Sequence, residues 1–343
     1  MTGAESAYGL STHEGIALAV DQANQRGGIH GKKIEVITRD TQGKTEIAIS
    51  QATRLITENR VQILLGEVAS ALSLAIAPVA QSYRVPLISP ASTHPKLTSM
   101  GDYIFRSCFI EPFQGSVMAK FAIDHLNLKK AAILRDQESE YSHSLANYFL
   151  EDFKQMGGRV VLDIAYSPRD KSFKPYLNQI KASKPDIIFI PGYYRQVEQI
   201  AREAAELNLR ATLLGGDGWE GSLFAPMAKT LPSGAYFSTH FSIDDQNPAV
   251  QAFVAQFKDR YGKAPNALSA LGYDAARIAL KAIEKAPSLS PSDIREALSE
   301  TRNFEGVTGM ISINKDRNAV KPAVVLRVEP SGGVSYISSI NPG

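Results

Sequence analysis

The sequence has one cysteine, Cys108, in 343 residues. A single thiol excludes an internal disulfide and any CxxC redox or metal site. Charge is nearly balanced at a formal +2, so nothing points to nucleic acid or an anionic membrane surface. No apolar run is long enough to span a bilayer. The six histidines include no HExxH pair, and neither GxSxG nor GxxxxGK[ST] occurs, which leaves metal, nucleophile-elbow and phosphate-loop chemistry without support. No signal peptide is visible, which fits a cytoplasmic protein or a sequence that starts after processing. What is present is ordinary for a soluble globular protein: 44% hydrophobic and 21% charged residues, in a chain long enough for two domains.

Strand and helix signals alternate along this chain. KKIEVIT (32–38) reads as a strand. TEIAISQATRLITEN (45–59) reads as a helix, with Ile47, Gln51, Ala52, Leu55 and Ile56 at helical spacing. Strands follow at 61–66, 85–89 and 103–107. A second series runs helix 113–126, strand 131–136, helix 141–156, strand 160–166, helix 173–183, strand 186–192, helix 194–207 and strand 211–216. Near-continuous apolar strands between helices predict parallel sheets covered on both faces. After 235 come helices at 247–261, 268–285 and 291–300, the last with Ser290 as N-cap and Pro291 at its first position. A hairpin turning at Ser331-Gly332-Gly333 closes the sequence.

The two series are alike. NQRGGIHGKKIEVITRD (24–40) and FKQMGGRVVLDIAYSPRD (153–170) both read helix end, Gly-Gly, strand, Arg-Asp, and Gly-Gly after a helix is a C-cap signal. Chance similarity of two helix–turn–strand units is the alternative. A tyrosine stands ahead of a helix in each, Tyr8 and Tyr141. In the second series the strand 131–136 precedes that helix; in the first, nothing does. Ser11 and Glu14 are expected to cap the first helix as a capping box. The comparison predicts that Met1 is an internal methionine, with a signal peptide and a first strand upstream.

In parallel α/β sheets, ligands sit beyond the carboxyl ends of the strands. There the sequence places Glu67, Val68, Ala69 and Ser70, then Ala91 and Thr93, then Tyr193 and Tyr194, then Asp217, Gly218 and Trp219. Hydroxyls and helix-start amides suit a carboxylate. An acid suits an ammonium group, and aromatics suit an apolar side chain or a cation. The set describes a zwitterionic amino acid. Each member has a plainer reading: Ser70 as a helix cap, Ser92 and Thr93 as a turn before Pro95, Asp217 as a loop residue bonding its own backbone, Tyr193 as packing.

YGLSTHEGIALAVDQANQRGGIHGKKIEV, GEVAS with PVAQSYRVPLISPASTHPKLT, IFIPGYY and LLGGDGW resemble the periplasmic branched-chain amino-acid-binding proteins that serve ABC importers, over essentially the whole chain. The resemblance implies that Ser70, Ala91 and Thr93 hold the ligand's α-carboxylate and part of its ammonium. It implies that Tyr193 and Asp217 secure the ammonium, and that Tyr8 and Tyr141 line the cleft. Ala69 stands where some relatives carry a disulfide cysteine. Trp219 either narrows the side-chain pocket or packs under its loop, and Leu268 falls near an aromatic position of some relatives. The implied fold is α/β: two similar lobes, each a doubly wound, mostly parallel sheet, joined by a multi-strand hinge with the ligand cleft between them. Lobe 1 is expected at 1–111 and 242–316, lobe 2 at 112–241 and 317–343. The implied partners are a free amino acid and the membrane subunits of an importer, in the periplasm. A monomer with no metal, cofactor or nucleic acid and no enzymatic activity is expected.

Two rivals stand beside this reading. GDGWEG (216–221) fits GxGxxG after a strand, but Asp217 in its first gap would repel a pyrophosphate. A sensory or regulatory amino-acid- or amide-binding module of the same fold would need an attached DNA-binding or signalling segment.

Overall fold

The computed structural model describes residues 1–220, 234–329 and 333–342. The chain opens with helix α1 (Ser6–Gln25) and α2 (Thr45–Thr57), then alternates β1 (Leu64–Leu65), α3 (Ser70–Tyr83), β2 (Leu87–Ser89), α4 (Lys96–Ser99) and β3 (Ile104–Arg106). A second run gives α5 (Glu111–Lys120) with a π-turn at Phe121–His125, β4 (Lys130–Asp136), α6 (Glu140–Gln155), β5 (Arg159–Tyr166), α7 (Lys174–Ser183), β6 (Ile187–Ile190), α8 (Tyr194–Glu206), β7 (Thr212–Gly215) and β8 (Ala235–Thr239). Helices α9 (Pro248–Tyr261), α10 (Ala267–Lys285) and α11 (Pro291–Ser299) follow, then β9 (Phe304–Gly306), β10 (Gly309–Ile313), β11 (Ala319–Val320), β12 (Ala323–Val328) and β13 (Val334–Ile340).

Contacts gather these elements into two compact units. The first is Met1–Ile110 with Asp245–Pro322; the second is Glu111–Asp244 with Ala323–Gly343. Where the sequence predicts the last return at 317, residues through Pro322 stay with the first unit, because Ala319–Val320 pairs antiparallel with β10.

The second unit holds a seven-stranded sheet in the order β13-β12-β8-β7-β6-β4-β5. Strands β5, β4, β6, β7 and β8 run parallel, and β12 and β13 close one side antiparallel. Ile187–Ile190 is buried at all four positions, as a parallel strand covered on both faces should be. The turn joining β12 to β13 was expected at Ser331 and Gly332, which lie outside the described residues.

The first unit holds a parallel sheet β1-β2-β3 and a small antiparallel sheet β11-β10-β9. Two expectations fail here. The 32–38 run is not a strand: apart from one antiparallel bridge from Lys32 back to Ile29 it joins no ladder, and the Asn24 side chain takes both backbone groups of Ile34; a strand exists only through its ladder. Ser11 does not cap α1, which begins five residues earlier at Ser6 with Glu5 as N-cap. Ser11 is instead a buried residue within the helix that accepts a bond from Asn266 Nδ2 (3.1 Å). Ser290 does cap α11, accepting from the Asp293 amide (3.2 Å).

Helices α1 and α10 cross at two glycines. A Cβ on Gly15 would lie 1.9 Å from the Ser269 carbonyl oxygen, and one on Gly272 would lie 2.2 Å from that of Thr12. Backbone on both sides leaves nothing to yield. Gly15→Ala and Gly272→Ala should therefore each lower stability by about 1–3 kcal/mol, the usual cost of overpacking. Urea unfolding of the ligand-free protein checks this; an unchanged midpoint would contradict the close crossing.

Candidate functional site

In the first unit, strands β1 and β2 end side by side, and two loops leave their carboxyl ends. The first, 66–69, leads into α3. Ala69 is the extended N-cap, and the first intrahelical bond runs from the Ser73 amide to the Ala69 carbonyl (3.0 Å). The amides of Ser70, Ala71 and Leu72 therefore have no intrahelical acceptor, as at any helix start. They are a ready place for an anion.

The second loop is the serine-rich stretch after β2, and its hydroxyls have a structural task. Ser89 Oγ donates to the Glu67 carbonyl (2.7 Å) and accepts the Ser92 amide (3.0 Å). Ser92 Oγ donates to the Val68 carbonyl (2.9 Å) and lies 2.6 Å from Ser73 Oγ. These three buried serines stitch the two loops together. Arg106, fully buried at the end of β3, clamps the second loop from below: Nη1 donates to the Ser92 carbonyl and Nη2 to the His94 carbonyl, both at 2.7 Å. The two carbonyls flank Thr93, whose position is thereby fixed. Burial raises the Glu67 carboxyl above its ordinary range. Ser70, Ala91 and Thr93 are all buried on these two loops, as is Ala69. Tyr8 and Leu268 are buried in α1 and α10 of the same unit.

In the second unit, Asp217 is the centre of a cluster. It follows β7 in a short 3₁₀ turn, Asp217–Trp219. Its Oδ1 accepts from Tyr141 Oη (2.8 Å) and Gln114 Nε2 (2.9 Å), and its Oδ2 lies 3.2 Å from His240 Nε2. The Tyr141 hydroxyl accepts in turn from the Gly218 amide (3.1 Å). Burial first, and the Asp217 charge second, push the Tyr141 phenol well above its ordinary value. It stays neutral and keeps its proton for the carboxylate. Tyr193 stacks on the Tyr141 ring with centroids 5.2 Å apart and planes 7° from parallel. The structure thus brings Tyr141, Tyr193 and Asp217 together, and gives the acid three oriented neighbours.

Trp219 does something else. Its indole N–H donates to the Ile190 carbonyl (2.9 Å), its ring stacks near Phe237 at 6.0 Å, and it is fully buried in the sheet core. Of the two readings the sequence offered, packing under the loop is the one the contacts support. Gly215 is glycine for this reason, since a Cβ there would lie 2.0 Å from the indole.

Sequence reasoning missed Gln114, His240 and Arg106. His240 had a usable signal: it directly follows a parallel strand, β8, like the other candidates. Gln114 lies on α5, far from any strand end, and nothing local marks it. Arg106 looks like an ordinary charged residue until the fold buries it. Among the described residues no cluster of His, Cys, Asp and Glu could hold a metal ion, and no helix is long and apolar enough to cross a membrane.

Residues 1–333 match the model of the family described as periplasmic binding protein. The chain is 27% identical to the Leu/Ile/Val-binding protein BraC3 of Rhizobium johnstonii over 314 residues, 91% of this chain and 84% of that one. It is 26% identical over 320 residues to the leucine-, isoleucine-, valine-, threonine- and alanine-binding protein of Pseudomonas aeruginosa, covering 92% of this chain and 84% of that one. Among solved structures, the leucine-binding protein LivK of Thermotoga maritima superposes with a TM-score of 0.93 at 38% identity, covering 100% of this chain and 97% of that one. The branched-chain amino-acid transporter substrate-binding protein LivJ of Streptococcus pneumoniae, solved with isoleucine, gives 0.93 at 32% identity, covering 99% and 97%. With a family match over nearly its full length and an α/β fold in two units, the chain belongs to the periplasmic binding protein family.

Proposed function

We propose that this chain captures a free branched-chain amino acid outside the cytoplasm, as a monomer and without altering it chemically, and delivers it to the membrane subunits of an ABC importer. In this reading Ser70, Ala91 and Thr93, with the amides that open α3, take the α-carboxylate. Asp217 takes the ammonium, with Tyr193 beside it. Tyr8 and Leu268 belong to the side-chain surroundings. The observation that carries the proposal is the Asp217 cluster: a carboxylate oriented by Tyr141, Gln114 and His240 beside a stacked tyrosine pair. The relatives named for leucine, isoleucine and valine and the isoleucine complex support the side-chain class.

Burying a charge is expensive unless it is paired and hydrogen-bonded. A zwitterion brings an anion to the helix amides and a cation to the carboxylate, so a single molecule satisfies both kinds of site. Each charge-assisted hydrogen bond contributes roughly 1.5–3 kcal/mol, so a ligand with only one charged end loses a large part of the affinity. A thermal-shift screen against the twenty amino acids and common amides tests the proposal. A ligand at 100 times its dissociation constant should stabilise the protein by about 2.7 kcal/mol, with leucine, isoleucine and valine foremost. A screen in which only compounds without an ammonium group raise the melting temperature would reject it.

A further inference from the structure

In the second unit the Asp217 carboxylate has little acceptor capacity left. A carboxylate oxygen offers about two lone-pair sites. Oδ1 accepts from Tyr141 Oη (2.8 Å) and Gln114 Nε2 (2.9 Å), which fills it. Oδ2 lies 3.2 Å from His240 Nε2 and keeps one site. An ammonium that meets Asp217 therefore lands on the oxygen that His240 already holds. Two donors on one oxygen stand about 5 Å apart, so the charge of the imidazole acts on any cation bound there.

His240 directly follows β8, and its side chain is 1% exposed beside 11% for Asp217. A carboxylate only accepts, so the contact requires a hydrogen on Nε2. Two states supply it: the neutral Nε2–H tautomer and the imidazolium. Histidine is the side chain whose ordinary charge change falls between about pH 5 and 8. The groups around it are mostly acids. The turn after β7 brings Asp217 and also Glu220, which accepts from Thr239 beside His240 (2.8 Å). Helix α5, packed on β8, brings the buried Glu111. Tyr141 of α6 stays a neutral phenol. Asp244 follows in the chain with its amide on Ser242 Oγ, and Arg327 of β12 stands opposite Tyr236, toward the far end of β8. These acids favour an imidazolium as long as Asp217 has no other counter-ion.

We propose that His240 sets the charge of the ammonium subsite and couples amino-acid binding to the release of a proton. The inference rests on Asp217 being the ammonium's partner. With His240 neutral, Asp217 is an anion steadied by three donors, and the ammonium becomes its counter-charge. With His240 protonated, the imidazolium is the counter-charge, and an ammonium adds a second cation beside one acid. Like charges disfavour each other, so ligand and proton compete. The coupling is reciprocal: a bound ammonium lowers the pH at which His240 takes its proton, and a protonated His240 weakens the ligand. Affinity is therefore full above the histidine titration and falls as pH falls through it.

Calorimetry with leucine from about pH 8 to about pH 5 tests this, in a window where leucine keeps both charges and ordinary carboxylates stay ionised. Affinity should fall by up to about tenfold per pH unit once the ligand-free His240 protonates, because one proton is exchanged. In two buffers of different ionisation enthalpy near the middle of that window, leucine binding should release part of a proton. The nitrogen-15 shifts of the His240 imidazole should titrate at lower pH with leucine bound than without it. These last two measurements use the unaltered protein and need no variant. His240→Gln offers an amide N–H to Oδ2 and cannot take a charge, so its affinity, whatever its level at the alkaline end, should stay level across the window. Leucine binding with a flat profile and no proton released, or an acid loss undiminished in His240→Gln, overturns the inference and leaves the ligand reading standing. If no amino acid binds even at the alkaline end, the ligand reading falls and this inference falls with it.

Discussion

Asp217→Ala should weaken amino-acid binding by about 2–5 kcal/mol, at least tenfold, the range for removing one partner of a buried hydrogen-bonded charge pair. The loss arises because the ligand's ammonium would be buried without a counter-charge, while the Tyr141 hydroxyl would lose its acceptor and the Gln114 amide would keep only its bond to Ser238 Oγ (3.1 Å). Calorimetry on the ligand identified by the screen measures the effect. Melting of the ligand-free variant separates a lost contact from a lost fold. Asp217→Asn keeps the shape and removes the charge, so it should also bind weakly. The matching carboxylic acid without the amino group should lose little affinity on either substitution, which gives a coupling cycle between the acid and the ammonium. Equal losses for both compounds would show that Asp217 supports the loop and does not meet the ligand.

Asp274→Ala should lower global stability by about 3–5 kcal/mol, the range for breaking a buried charged pair and a large share of the usual 5–15 kcal/mol. Asp274 is fully buried on α10, where it accepts the amides of Val307 (2.9 Å) and Thr308 (2.8 Å) and the Thr308 hydroxyl (2.8 Å). The same hydroxyl accepts from the Lys321 ammonium, also buried. Removing the carboxylate strands two amides and leaves Lys321 as a buried cation facing no anion. Asp274→Ala with Lys321→Met should recover part of the loss, because no lone charge remains.

The pH dependence follows from the same pair. Burial lowers the Lys321 ammonium from its ordinary 10.5 to about 8, against the pull of Asp274. Between about 8 and 10.5 the unfolded chain therefore holds a proton that the folded chain has released. Stability rises with pH wherever the unfolded state binds more protons, so the cost of burying this ammonium is full below about 8 and is relieved as pH rises from 8 to 10.5. Asp274 is shifted up by burial and acts oppositely: above the ordinary carboxylate range the folded chain holds the extra proton, and stability falls as pH rises through that window. Urea midpoints at pH 8 and pH 10 should show the alkaline gain in the native protein and its loss in Lys321→Met. An identical pH dependence in both would remove Lys321 as its cause.

Sequence was most informative about backbone direction: Ser70, Ala91, Thr93, Tyr193 and Asp217 were legible as strand-end residues because each follows an apolar strand, and strand ends in parallel sheets face a common side. The serine-rich stretch after β2 was legible as a loop, but not in its division of labour. Only contacts show that Ser73, Ser89 and Ser92 are spent joining loops. Trp219 was ambiguous for the same reason, because a large aromatic beside a site residue packs or lines according to which way the chain turns.

The sequence by itself determined the alternation of strands and helices, the repeat of two units and the identity of the acid and hydroxyls, because these depend on periodicity, caps and residue chemistry within a few positions. Tertiary structure alone decided that Gln114 and His240 orient Asp217 from 103 and 23 residues away, that Arg106 clamps the carbonyls around Thr93, and that the 32–38 run joins no sheet. Each of these depends on what long-range folding places alongside a residue, and a hydrogen bond or a strand needs a partner that local sequence cannot supply.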